Sequence, residues 1–173
     1  FYMKNKKFES VAIYEGNDKF NECISRNDFM YTRYNDIRSD FNRDYNRILH
    51  SNSYRRLKHK TQVFFATNND HICTRIEHVN HVSSVSYAIA KYLGVNTELT
   101  MAISIGHDIG HPPFGHDGER VLSKFTKDKF GFKFWHEKNG LHFVDSIELL
   151  EGHDGYKKNL NLNFRDCFFA VPN

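Results

Sequence analysis

His107-Asp108-Ile109-Gly110-His111-Pro112-Pro113-Phe114-Gly115-His116-Asp117-Gly118-Glu119 is the stretch from which the rest of the chain is read. The residues before it, from about Thr97 to Ile109, predict a helix on which Leu99 and Ile103 define a face. His107 extends that face by one more turn, and Gly110-His111-Pro112-Pro113 ends the helix because proline cannot continue it. Another helix is expected over about 114–126. There His116 and Glu119, three positions apart, share a face. The Gly-His-Pro-Pro-Phe-Gly loop between the two helices is rigid, yet its glycines let backbone approach a ligand closely.

Upstream, residues 75–93 carry the clearest helical pattern. Val82, Val85, Ile89 and Tyr92 recur at helical spacing, His78 falls on the same face, and Gly94 supplies the stop. Two helices thus present histidines from apolar faces. A lone inward histidine is more often a hydrogen-bonded core residue. Here His107 is followed at once by Asp108, and a borderline divalent ion takes imidazole and carboxylate ligands together. His78, His107 and Asp108 are therefore the candidate metal ligands. His116 with Glu119 has the form of an imidazole oriented by a carboxylate, the competing reading being a helix start with ordinary capping acids.

Further out, the pattern is sparser. Residues 38–58 look helical, 138–151 predict one more helix, and Thr61-Gln62-Val63-Phe64-Phe65 reads as a short strand or extended loop. Residues 1–37 form an irregular arm with at most one helix, and Asn159 to Asn163 reads as a turn. With only three prolines, long helices are permitted. The expected architecture is all-α with a minor irregular or β-like segment near residues 61–66.

Composition narrows the chemistry. The 173 residues suffice for one domain with a core, and a net charge of +3 lacks the dense basic field of a dedicated nucleic-acid binder. Of 11 histidines, six lie between His78 and His136. Cys23, Cys73 and Cys167 are too scattered for a zinc framework and odd in number, which fits free thiols in a reducing compartment. No apolar run is long enough to span a membrane, and Phe1 to Lys7 does not resemble a signal peptide, so a cytoplasmic location is expected.

The run from His107 through Glu119 resembles the signature of the deoxyguanosine triphosphate triphosphohydrolases of the HD superfamily. The match extends to Arg47-Ile48-Leu49-His50-Ser51, Arg55-Arg56-Leu57, Lys60-Thr61-Gln62-Val63-Phe64 and Thr74-Arg75-Ile76-Glu77-His78, spanning roughly residues 38–150. The resemblance implies an HD-domain helical bundle and a metal held by His78, His107, Asp108 and a later aspartate. It implies hydrolysis of a deoxynucleoside triphosphate to the deoxynucleoside and inorganic triphosphate. His116 with Glu119 would be the catalytic pair, and His111 would contact phosphate or the attacked bond. Arg75 would meet the phosphates, Gln62 and Val63 would sit against the deoxyribose, and His136-Glu137 resembles a further active-site pair. A divalent cofactor (Mn, Mg, Fe, Co or Ni) and a homo-oligomer are expected, with single-stranded DNA as a further partner.

The chain departs from that pattern in two places. His81 stands where the family usually has Glu. The family's last metal aspartate lies in a later motif in which none of Asp145, Asp154 or Asp166 sits. The expectation is an N-terminal arm (1–37) and an HD-type catalytic domain (38–173), truncated on its C-terminal side or completed by a ligand from elsewhere. The rivals are another HD phosphohydrolase, such as a nucleotidase or a phosphodiesterase, and a non-catalytic nucleotide or single-strand DNA sensor.

Overall fold

The computed structural model describes residues 8–26, 35–60, 62, 69, 71–151, 155 and 157–162. Val63 and the rest of the expected β-like segment at 61–66, Gln62 excepted, lie outside the described residues, as do Asp154 and Asp166.

The architecture is mostly helical. After a short turn at Glu9–Val11 come α1 (Phe20–Cys23), α2 (Asp40–Leu49), α3 (Asn52–Arg56), α4 (Arg75–Leu93), α5 (Thr97–Gly106), α6 (Gly115–Phe130) and α7 (His136–His142). A π-helical turn, Phe143–Ile147, continues α7, and β1 (Leu150–Glu151) pairs antiparallel with β2 (Lys157–Lys158). The helical run expected over 38–58 is split because two serines start helices. Ser39 accepts from the Asn42 N–H, and Ser51 accepts from the Tyr54 N–H. Glu148, buried after the π-helical turn, reinforces the second start by accepting from the backbone of Asn52 and from the backbone and hydroxyl of Ser53.

The core is where α2, α4 and α5 meet: Ile48, Leu57, Val79, Ala102, Ile105 and Ile109 are buried together with Val144. Leu160 and Leu162 complete it, so the Asn-rich stretch read as a turn is a packed strap whose Leu160 N–H bonds the Val144 carbonyl. The arm is tied down too. Arg26 pairs with fully buried Asp44 at 2.7 Å, and the Asn96 amide donates to the Ile13 carbonyl at 2.6 Å.

Three readings need correction. The inward line of α4 is Arg75, Val79 and Ala90, whereas Val85, Ile89 and Tyr92 are exposed. Val79 on the inward line joins the core with Ala102 and Ile105 of α5. The helix expected to reach Ile109 stops at Gly106, with His107 as its C-cap and a turn running on through Asp108 to Gly110. The helix expected over 138–151 is instead α7, its π-helical turn and then β1.

Candidate metal centre and histidine array

The first turn of α4 is fixed by its cap, where Glu77 accepts hydrogen bonds from the backbone N–H and hydroxyl of Thr74. That turn carries Arg75 inward and His78 to the mouth of the crossing with α5. At the other wall, α5 ends and its last turn delivers His107 and Asp108. Donor atoms of His78, His107 and Asp108 all lie within 4.8 Å of one another.

His107 and Asp108 are each held by a second partner. His107 Nδ1–H donates to the Ser104 carbonyl at 2.7 Å, which leaves Nε2 as the lone-pair nitrogen, 3.5 Å from Asp108 Oδ1. Asp108 is buried, and its Oδ2 accepts from the Arg75 guanidinium at 2.7 Å. Burial alone would raise the Asp108 pKa, but His107 and Arg75 outweigh it and hold the carboxyl below its usual range. Burial pulls His78 toward its neutral form, the form that ligates. Two imidazoles and an ionised carboxylate converging at this spacing suit a divalent transition-metal ion.

Next to this centre the chain makes a sharp reversal. Phe114 and Gly115 both take positive φ, 65° and 60°. A side chain on Gly118 would place its Cβ 2.0 Å from the Pro113 carbonyl oxygen, so α6 can start this close to the proline loop only with glycine there. The turn swings His116 and Glu119 back toward His111. From α7 comes His136, whose ring lies stacked on His111 with centroids 4.7 Å apart, and His111 also meets His116 edge-on at 5.1 Å.

The His116–Glu119 pair anticipated from the sequence is present, at 3.4 Å. Glu119 is held more closely by His136, whose Nδ1 lies 2.9 Å away and whose backbone N–H donates at 3.0 Å. Burial would raise the Glu119 pKa, but these bonds from His136 lower it. His136 Nε2 sits 3.5 Å from Glu137. The structure therefore shows one carboxylate shared by two imidazoles, a relation that sequence spacing alone did not reveal.

His111 is 1% exposed, and its Nε2 has no hydrogen-bond partner among the described residues. Burial, with Arg75 adding to it, brings its pKa down to about 4, so the ring is neutral. Gln62 Oε1 and Glu137 Oε2 are likewise buried without partners among the described residues. Such atoms in a cleft are acceptors that a ligand can satisfy. Arg75, expected to meet phosphates, bonds Asp108, with its Nη2 turned toward Gly115. His81 is exposed on α4. A cavity of about 860 Å³ lies elsewhere, between α2 and β1 and lined by Arg43, Arg47 and Leu150 among others, and contains none of these residues.

Comparison with known proteins agrees with this geometry. Residues 75–162 match the HD domain family. The chain is 45% identical over 131 residues to a deoxyguanosinetriphosphate triphosphohydrolase-like protein of Caldanaerobacter subterraneus subsp. tengcongensis, covering 76% of this chain and 36% of that protein. A protein of the same description from Bartonella quintana is 41% identical over 144 residues, 83% of this chain and 34% of that one. The chain spans about a third of the length of these relatives. A match to more than half its residues, taking in His78, His107 and Asp108, places this chain in the HD domain family.

Proposed function

We propose that this chain carries the catalytic centre of a metal-dependent phosphohydrolase that cleaves a deoxynucleoside triphosphate into a deoxynucleoside and inorganic triphosphate. The observation that carries the reading is the adjacency of two different devices: a three-donor cluster at His78, His107 and Asp108, and the His111–His136–Glu119–His116 array beside it. The names of the relatives point to the same substrate class.

A divalent ion held by His78, His107 and Asp108 would polarise a phosphoryl oxygen and ease ionisation of a water. The remaining work belongs to side chains. Water adds to the innermost phosphorus, the bond from phosphorus to the 5′-oxygen breaks, and that oxygen leaves with a proton. His116, whose side chain is 78% exposed toward an incoming substrate, is placed to deliver that proton while Glu119 orients its ring. Neutral His111 offers Nε2 as an acceptor, and His136 with Glu137 frames the same space. Arg75 holds Asp108 ionised and aimed. Gln62, with Val63, is assigned to the deoxyribose, its buried unpartnered carbonyl oxygen being the support for that role.

The test is incubation with each deoxynucleoside triphosphate and separation of the products by ion exchange. Inorganic triphosphate with the free deoxynucleoside is expected. Monophosphate or pyrophosphate would assign the site to another HD phosphohydrolase, and binding without turnover would make it a sensor.

A further inference from the structure

The loop that carries His111 has an unusual supply problem. Pro112 and Pro113 have no N–H, so two successive residues give the loop no backbone donor with which to anchor itself. Its carbonyls must instead be held by donors from outside. Asn139 bonds the Gly110 carbonyl at 2.7 Å, and the ammonium of Lys60 bonds the His111 carbonyl. Lys60 makes a second connection through its backbone: its own carbonyl accepts the N–H of Arg75 at 3.0 Å. That N–H opens α4 and would otherwise lack an intrahelical partner.

One residue thus grips both halves of the site. Its backbone holds the helix start that bears Arg75 and, one turn on, His78. Its side chain holds the loop that bears His111. We propose that Lys60 is a positioning residue that sets the spacing between the metal ligands and the imidazole array. The inference rests on the hydrolase reading for its catalytic consequence, but not for its structural one.

The surroundings support a fixed ammonium here. Lys60 is partly buried, with Arg56 and Arg75 as cationic neighbours and Asp108 as the nearby anion. Burial, followed by the two arginines, brings its pKa down to about 8. A lysine kept charged against burial and like charge is retained for the bond it makes. Solvated lysines on a helix surface, charged without any burial cost, have no such constraint.

The test uses Lys60→Met, which keeps the stem and removes the donor, and Lys60→Arg, which restores a donor. Turnover of the metal-loaded Lys60→Met variant should fall on the order of 10²-fold, the cost of roughly an ångström of misplacement, with KM within about twofold of wild type. Lys60→Arg should recover most of the loss. Independently of activity, the ¹⁵N imidazole resonances of His111 and His136 should move in Lys60→Met and return in Lys60→Arg. A raised KM with unchanged kcat would overturn the proposal in favour of a direct phosphate contact, and unmoved imidazole resonances would overturn it outright. Moved resonances in a protein whose wild type hydrolyses nothing would uphold the positioning role of Lys60 while refuting the hydrolase reading. If Lys60→Met does not fold, Lys60→Gln carries the same two measurements.

Discussion

His78, His107 and Asp108 stand at the ends of two helices packed on the core, whereas His116 and Glu119 stand on the first turns of a helix whose outer face is bare. The metal side is anchored by Val79, Ala102 and Ile105, all buried, and Asp108 and His107 each have a second partner behind them, Arg75 and the Ser104 carbonyl. The array side is anchored by close approach. α6 buries only Gly115, and Val121, Phe125 and Phe130 are exposed along it. Precision on the first side comes from side-chain packing. On the second it comes from missing side chains, at Gly110, Gly115 and Gly118, and from one carboxylate shared between two rings. The two sides should therefore fail differently when perturbed.

The largest effect is expected from His107→Ala combined with Asp108→Ala. Two of the three donors disappear, so bound metal measured by elemental analysis should drop to background and turnover should vanish with it. Retained stoichiometric metal would mean that the ion sits elsewhere in the array, and the division between the two sides would collapse.

Glu119→Ala should separate them. Proton transfer by a positioned side chain contributes about 10²–10⁴-fold, so turnover should fall by that order while metal content stays at the wild-type level. The shared geometry adds a finer expectation. Glu119 lies 2.9 Å from His136 and 3.4 Å from His116, so the imidazole ¹⁵N resonances of both rings should move in Glu119→Ala, those of His136 by more. A response confined to His116 would restore the simple pair expected from spacing.

Gly110→Ala acts on the array through backbone. A Cβ there would lie 2.1 Å from Gly140 N and 2.2 Å from the His136 carbonyl oxygen, and neither atom can rotate away. The start of α7 must shift, carrying His136 with it. Overpacking of this kind destabilises by about 1–3 kcal/mol, measurable by denaturant unfolding. Turnover should drop with metal retained; loss of metal as well would show that the two sides are mechanically one.

The same contrast explains what the sequence made legible. The candidate ligands were proposed from the sequence because His78 and His107 occur on strongly helical segments and an Asp follows His107 directly, and the structure brings the donor atoms of all three together. Their convergence survives the correction to the inward face of α4, because His78 is adjacent in sequence to buried Val79. The HD-type helical architecture was readable from the same periodicity and from the resemblance. The partnership of Glu119 with His136 was not, because it crosses the turn after α6, and only the His136-Glu137 pair at a helix start hinted at it. Lys60 was hidden for a different reason: beside Arg55, Arg56 and Lys58 it looks like one more solvated cation. The break of the last helix into a π-helical turn and strand left no periodic signal at all.

The smallest predicted effect concerns the cap that presents the metal side. Thr74→Ala removes the hydroxyl that donates to Glu77 at 3.0 Å, leaving only the backbone N–H of residue 74 as a partner. Loss of a helix-start partner in a chain of this size should lower Tm by about 2–4 °C. The two bonds from Thr74 hold the Glu77 carboxyl below its ordinary 4.5. A carboxylate whose pKa is depressed by folding stabilises above the unfolded value, and that contribution disappears as pH falls through the folded value. The gap in Tm between wild type and Thr74→Ala should therefore be full at pH 7 and shrink below about pH 4.5. Because Arg75 and His78 follow within the same turn, metal affinity should weaken in parallel at neutral pH while the response of the imidazole array to Glu119→Ala stays unchanged. A gap independent of pH would show that the Glu77 charge plays no part in the cap, and an altered array response would show that disorder at the start of α4 spreads across the site.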